Sequence, residues 1–332
     1  MSSDVIVTVT LNTALHVSYY TDGAAPRNPR NGAIAPVSRP TYRAGGRGVT
    51  VARVLRAFGH DVLAAGLAGG MAGELIGQDL ARSGVPAAFT QIRGESRRVF
   101  RFAAGSGDCA LRFGEPSPYI TTEELGRFAA DYRKLLGGAA AVVLCGSLPD
   151  GLPADMYASL VRYAAEARVP VILDAGGEEL LLAARNRPSL AVTETGGSDV
   201  GHELLRLGPK AVAVVSGQAV RVVTPAGEWA ADIAGSGVLD RGGLVAGLVP
   251  GELLGWSWPD RLRHALALAA ALGSAPQSGP PALPAPGPAG DEPTREVDLG
   301  AYERLLERVA INRLPLSDTN VDVRSLHRVT TE

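Results

Sequence analysis

Lysine is almost missing from this chain: Lys134 and Lys210 are the only two in 332 residues. Chemistry that needs a lysine amine is therefore confined to two positions. Cysteine is equally scarce, with Cys109 and Cys145 alone, which excludes a disulfide framework and a zinc site built from four cysteine and histidine ligands. Cys145 lies in the apolar run 139–146 and reads as a small buried hydrophobe. Net charge is lacking too. The 32 basic and 34 acidic side chains leave −2, which gives no whole-chain attraction to nucleic acid or anionic lipid. No apolar run approaches the ~20 residues of a membrane span, and the first residues lack the basic and apolar regions of a secretory signal. Neither nucleic acid nor membrane is expected as a partner, and the expected address is the cytoplasm.

What the chain does have is alternation. Short runs rich in valine and isoleucine recur at 5–10, 62–67, 141–145, 169–174 and 211–216, and each reads as a buried strand. Helical patterns lie between them. One carries Val51, Val54, Leu55 and Phe58 and closes at Gly59; another starts after Thr121 and Thr122 and stops at Gly137 and Gly138. The predicted class is α/β, a three-layer sandwich with a mainly parallel central sheet, ligands being expected at the carboxyl ends of its strands.

Residues 1–273 are expected to form that domain. Within it, 18–42 and 89–113 lack helical periodicity and are expected to form a small β lid. The proline- and glycine-rich stretch 274–293 reads as a linker, 294–311 as a C-terminal helix and 312–332 as a polar tail.

Two glycine clusters draw attention. Gly45, Gly46 and Gly48 flank Arg47 and run into a helix expected to start near Val51, so the backbone can approach a ligand and the helix N-terminus can face oxygen atoms. The cluster has no lysine and does not follow the phosphate-loop or dinucleotide spacing. Gly235, Ser236 and Gly237 form a second turn that suits an anion. Beyond it, Gly243 and Gly247 are one helical turn apart and would allow a close helix contact.

Taken in order, Asn12-Thr13-Ala14-Leu15-His16, Gly45-Gly46-Arg47-Gly48-Val49-Thr50, Gly94-Glu95-Ser96-Arg97, Gly146-Ser147-Leu148-Pro149-Asp150-Gly151, Leu173-Asp174 and Gly235-Ser236-Gly237 resemble the PfkB/ribokinase family of sugar kinases. The branch they resemble is that of 1-phosphofructokinase and tagatose-6-phosphate kinase. The resemblance implies a ribokinase-like fold, ATP and Mg²⁺ as cosubstrate and cofactor, a sugar phosphate as acceptor, and a homodimer formed through the lid. It implies substrate contacts from Asn12, His16, Gly45, Gly46, Arg47, Thr50 and Arg97, and nucleotide or anion contacts from Glu194, Gly235, Ser236 and Gly237, with Glu194 as the metal ligand. Arg97 matches an arginine that holds the sugar's existing phosphate; its other reading is a solvated lid arginine beside Arg93, Arg98 and Arg101.

The chain also departs from the pattern. His16 stands for an acidic residue, Arg47 for a lysine and Thr50 for an asparagine, although Thr50 also reads as a plain N-cap. Glu194 and Gly197 replace an asparagine and a glutamate, so Glu194 is either a cation ligand or a source of repulsion toward a triphosphate. Val238 occupies the position of the proton-accepting aspartate. Asp240, two residues on, would be rotated about 200° if it lay in the same helix. Asp174, at a strand end, reads as a structural residue or as one that touches a solvent-bound ligand. The expected function is a phosphosugar kinase homologue with impaired or lost turnover that keeps a sugar-phosphate or anion site; the alternative is an active kinase using Asp240.

Overall fold

Strands buried on both faces need helices on both sides, and the chain supplies them in alternation. The computed structural model describes residues 5–20, 40–103, 109–194, 199–233, 239–274 and 298–314. It begins with β1 (Val5–Thr10), β2 (Ala14–Tyr20), β3 (Thr41–Gly45), α1 (Arg47–Ala57), β4 (Val62–Gly69), α2 (Gly70–Arg82) and β5 (Ala87–Ile92). There follow β6 (Arg97–Ala103), β7 (Cys109–Gly114), α3 (Thr122–Leu136), β8 (Ala139–Cys145), α4 (Met156–Glu166), β9 (Val171–Asp174) and α5 (Gly177–Ala184). The remainder is β10 (Leu190–Thr193), α6 (Val200–Leu207), β11 (Val212–Ser216), β12 (Ala219–Thr224), β13 (Gly227–Ile233), α7 (Arg241–Leu254), α8 (Trp258–Ser274), α9 (Leu299–Leu306) and β14 (Val309–Leu314).

Ten strands form one sheet in the order β14-β13-β12-β11-β10-β9-β8-β1-β4-β5. From β5 to β11 the pairing is parallel; β12, β13 and β14 add an antiparallel edge. Ile6 on one side of β1 joins a core with α1, α2, α7 and α8, and Val7 and Val9 on the other side join α3, α4, α5 and α6. The α/β expectation holds, with the central strands near their expected positions.

Local chemistry sets several boundaries. Thr121 caps α3 by accepting from the Glu124 amide, while Glu124 accepts from the Thr121 amide at 2.9 Å, a reciprocal capping box. Glu124 also accepts from the Arg93 amide at 2.6 Å, and that bond is the first of the causes that hold its carboxyl below the usual range. Gly243 and Gly247 let α7 lie against α8. A Cβ at Gly247 would come within 2.5 Å of Ala265 Cα, and one at Gly243 within 3.2 Å of Ala269 Cα. The structure thus realises the close contact expected from their spacing.

Three expectations are corrected. The first glycine cluster leads into a helix that starts at Arg47, with Gly46 as N-cap, so Thr50 is inside α1 and is not its cap; its hydroxyl turns back to the Gly46 carbonyl at 3.4 Å. The four-stranded lid sheet has the order β3-β2-β6-β7 and begins at Ala14, whereas residues 89–92, expected in the lid, belong to β5 of the large sheet. Residues 21–39 and 104–108 of the expected lid lie outside the described residues.

The third correction concerns the C-terminus. α9 ends at Leu306, and Val309–Leu314 is a strand rather than the end of a helix and the start of a polar tail. Its pairs Ile233↔Val309 and Ala231↔Ile311 place alternate apolar residues over the core, a period of two that overrides helical continuation. The linker, apart from Ser274 at the end of α8, and residues 315–332 lie outside the described residues.

Candidate functional site

Parallel strands end together, so the turns after β1, β8, β9 and β10 converge at one edge of the sheet. Asn12 follows β1 and is buried. Its amide donates to Ser117 Oγ at 2.7 Å and to Ser147 Oγ at 3.3 Å, while its Oδ1 is buried without a hydrogen-bond partner among the described residues. An orphaned buried acceptor costs roughly 1–3 kcal/mol unless a ligand hydroxyl or water supplies a proton. Arg97 starts β6 of the lid, in register with Ala14 of β2, and its Nε is likewise buried without a partner among the described residues.

The first glycine cluster lies beside these two. His16 on β2 covers Gly45 so closely that a Cβ there would meet its Nε2 at 2.4 Å. Gly46 has φ 122°, a left-handed backbone, and packs against the Thr10 side chain, so both space and conformation require glycine. Asp79 accepts from the Ala44 amide at 2.6 Å and pairs with Arg53, which ties β3 and α1 to α2.

Next to this region is a chain of four charges. Asp174, at the end of β9, is fully buried. Arg241 Nε donates to Asp174 Oδ1 at 2.8 Å, its Nη2 donates to the Val192 carbonyl at 3.2 Å, and its Nη1 lies 3.0 Å from Glu194 Oε2. Arg47 Nε stands 3.4 Å from Asp174 Oδ2. Burial pushes the Asp174 carboxyl up, and the two guanidiniums oppose that push. Asp174 therefore holds the arginines, which is a structural role.

Asp240 is the N-cap of α7, with extended backbone, and its Oδ1 accepts from the Gly243 amide at 2.8 Å. Because α7 starts at Arg241, Asp240 stands outside the helix and the 200° rotation does not apply to it. A Cβ on Gly242 would touch both Asp240 Oδ1 and the Thr50 methyl, so Asp240 and Thr50 face a common point. Gly235, Ser236, Gly237 and Val238 lie outside the described residues, as does Gly197.

The structure therefore brings Asn12, His16, Gly45, Gly46, Arg47 and Thr50 to one edge of the sheet, with Arg97 on the lid and Asp240 at the start of α7. Sequence reasoning missed Arg241, Ser117 and Ser147 as members of the site. Arg241 did carry a signal: a cation in the first turn of a helix opposes the helix dipole and so calls for a specific anionic partner.

The Mg²⁺ implied by the resemblance does not fit the described residues as they stand. Glu194, the expected ligand, is engaged by Arg241, and no group of three or more His, Cys, Asp or Glu side chains able to hold a metal occurs among the described residues. No helix among them is long and apolar enough to cross a membrane.

Against this geometry, comparisons with known proteins are consistent. The sequence profile of the pfkB family carbohydrate kinases matches residues 15–195. A tagatose-6-phosphate kinase of Staphylococcus epidermidis strain RP62A is 35% identical over 176 residues, 53% of this chain and 54% of that protein. One from strain ATCC 12228 is 33% identical over 188 residues, 56% of this chain and 58% of that protein. The chain spans about half the length of the curated relatives it matches. Among solved structures, a possible 1-phosphofructokinase from Thermotoga maritima superposes with TM-score 0.76 at 20% identity, over 94% of this chain and 100% of that one. Phosphofructokinase-2 from Escherichia coli in complex with fructose-6-phosphate superposes with TM-score 0.69 at 23% identity, over 80% and 92%. These likenesses establish the fold.

Proposed function

Because the chain belongs to the pfkB family of carbohydrate kinases, we propose that it transfers the terminal phosphoryl group of ATP to a hydroxyl of a phosphosugar, of the tagatose 6-phosphate or fructose phosphate class, with Asp240 as proton acceptor. The observation that carries this reading is the position of Asp240 as N-cap of α7, beside helix amides that favour anionic oxygen. The expected impairment rested on the changes at His16, Thr50, Glu194, Gly197 and Val238 together and on a helix that would turn Asp240 away; starting α7 at Arg241 removes the last of these objections and leaves the others standing.

In the proposed reaction the acceptor hydroxyl gives its proton to the Asp240 carboxylate as its oxygen bonds to the terminal phosphorus. The bond from that phosphorus to the bridging oxygen breaks, and ADP leaves. Asn12 Oδ1 supplies an acceptor for a sugar hydroxyl, and the Arg97 guanidinium suits the sugar's existing phosphate. Arg47, partly exposed, offers positive charge to the transferred group. No step is assigned to a metal.

ADP release by the purified protein with ATP, Mg²⁺ and tagatose 6-phosphate, fructose 1-phosphate or fructose 6-phosphate tests the proposal. Turnover that Asp240→Asn abolishes supports it; turnover that survives the substitution overturns the role of Asp240. A second reading, a phosphosugar-binding protein without turnover, is favoured by Arg241 engaging both Asp174 and Glu194. Thermal stabilisation by a sugar phosphate with no ADP release would select it.

The lid carries exposed Tyr42 on β3 and exposed Leu111 and Phe113 on β7. These apolar side chains support pairing of two copies through the lid. Sedimentation at micromolar protein checks this: a dimer is expected, and a monomer would overturn it.

A further inference from the structure

At the opposite edge of the sheet, where β9, β10 and β11 begin, lies a cavity of about 390 Å³ unconnected with the chemistry above. That volume is within the range of small-molecule sites. Its floor is mostly apolar, made by Val161, Val169, Val171 and Pro188, all buried, together with the buried side chain of Ser189. Its rim carries the exposed side chains of Arg168, Arg187 and Lys210, and no acidic residue lines it. None of these three cations forms an ion pair with a described carboxylate.

The backbone adds a second observation. Arg168 follows α4 and Arg187 follows α5, and both have φ 60°, the left-handed conformation that ordinarily selects glycine after a helix. They are the only non-glycine residues with positive φ among the described residues, and both line this one cavity. A cation near a helix C-terminus is favoured by the dipole, which accounts for a basic residue nearby but not for an arginine in place of glycine at the strained position itself. The side chains are kept at a conformational cost in the two places where they reach the same depression. Lys210, one of the two lysines of the chain, completes the rim.

We propose that this cavity is a second ligand site, specific for a small organic phosphate whose phosphate meets Arg168, Arg187 and Lys210 while its apolar body lies on the valine and proline floor. Guanidinium forks match phosphate oxygens, and a floor that is mostly valine and proline, with the Ser189 hydroxyl as its one polar side chain, favours an aromatic or aliphatic body over a bare ion. On β9 the cavity takes Val171, three residues from Asp174 at the other end of the same strand, so it is separate from the phosphoryl-transfer edge.

The test uses phenyl phosphate and inorganic phosphate as probes, with binding followed by titration calorimetry on the full chain. Phenyl phosphate is expected to bind more tightly than inorganic phosphate. In the variant Arg168→Gly, Arg187→Gly, Lys210→Gln, phenyl phosphate should bind at least about tenfold more weakly. That variant should melt no lower than the natural protein, because glycine suits both left-handed positions. Loss of binding with retained stability is a pairing that a purely structural role for the arginines would not produce. Arg97→Gln, at the other edge, should leave this binding in place. The proposal is overturned by unchanged phenyl phosphate affinity in the triple variant, by its loss in Arg97→Gln, by equal affinity for the two probes, or by no binding at millimolar concentrations. Should the triple variant fail to fold, Lys210→Gln alone is expected to weaken binding measurably, and unchanged affinity there overturns the proposal.

Discussion

The two halves of the chain keep the same architecture under different constraints. The family's sequence profile matches residues 15–195, which hold Arg97 and the glycine cluster, whereas the likeness to a solved neighbour runs over 94% of the chain. Across the later half the fold persists on a pattern of buried small and branched residues, with α7 buried continuously from Gly242 to Gly251. Packing asks for volume and polarity, which many sequences satisfy, whereas chemistry asks for particular atoms at particular points. The later half contributes Arg241, paired with Asp174 and Glu194, which stands outside the motifs that mark the first half.

The largest expected effect probes the chemistry of the later half directly. Asp240→Asn should lower kcat by about 10²- to 10⁴-fold while changing the melting temperature little, since an asparagine side chain still caps α7. Steady-state kinetics beside a thermal melt would show it; an unchanged kcat breaks the comparison by moving the base elsewhere.

A second measurement concerns His264, which joins α8 to α9 through Tyr302 and packs against Phe58 and Trp256. Burial, with the neighbouring His60 adding to it, lowers the imidazole from 6.5 to about 4. The unfolded chain therefore takes up this proton at higher pH than the folded one, so the stability contribution is complete above about 6.5 and is lost as pH falls toward 4. The loss over that window should be no more than about 3 kcal/mol. Chemical denaturation at pH 7 and pH 4.5 would measure it, and His264→Gln should flatten the difference; an equal slope in the variant assigns the effect to other groups.

Two glycine substitutions sharpen the contrast between the halves. Gly247→Leu forces a side chain into the α7–α8 contact and should cost about 1–3 kcal/mol, read as a lowered denaturant midpoint. Gly77→Ala, on α2 where a Cβ meets nothing within 4 Å, should stabilise by about 0.5–1 kcal/mol. If both were neutral, the tight packing assigned to the later half would be wrong.

Much of the fold was legible because its signals are local. Thr121 and Thr122 announce the start of α3, and Gly243 and Gly247 announce a helix contact four residues apart. β14 was not legible, since a six-residue strand after a helix differs from helical continuation only through its partner β13, which is far away in sequence. The site was legible in part. Asn12 and Arg97 stand in recognisable motifs, but their unpartnered atoms appear only once Ser117, Ser147 and the lid strands are in place. Thr50 and Asp240 were misread for one reason: each depends on which residue a helix starts from, and a shift of a few residues changes which groups cap it and which lie within it.

By itself the sequence determined the layered α/β class, the alternation of its elements and the scarcity of lysine that leaves arginine to serve anions. These follow from periodicity and composition, which act over a few residues at a time. Only the tertiary structure decided that Arg241 is held by Asp174 and Glu194, that Asp240 caps α7, and that Arg168, Arg187 and Lys210 surround one cavity. Those facts depend on where separate strands and helices end in space, and the energy that sets them is shared among residues up to 67 positions apart.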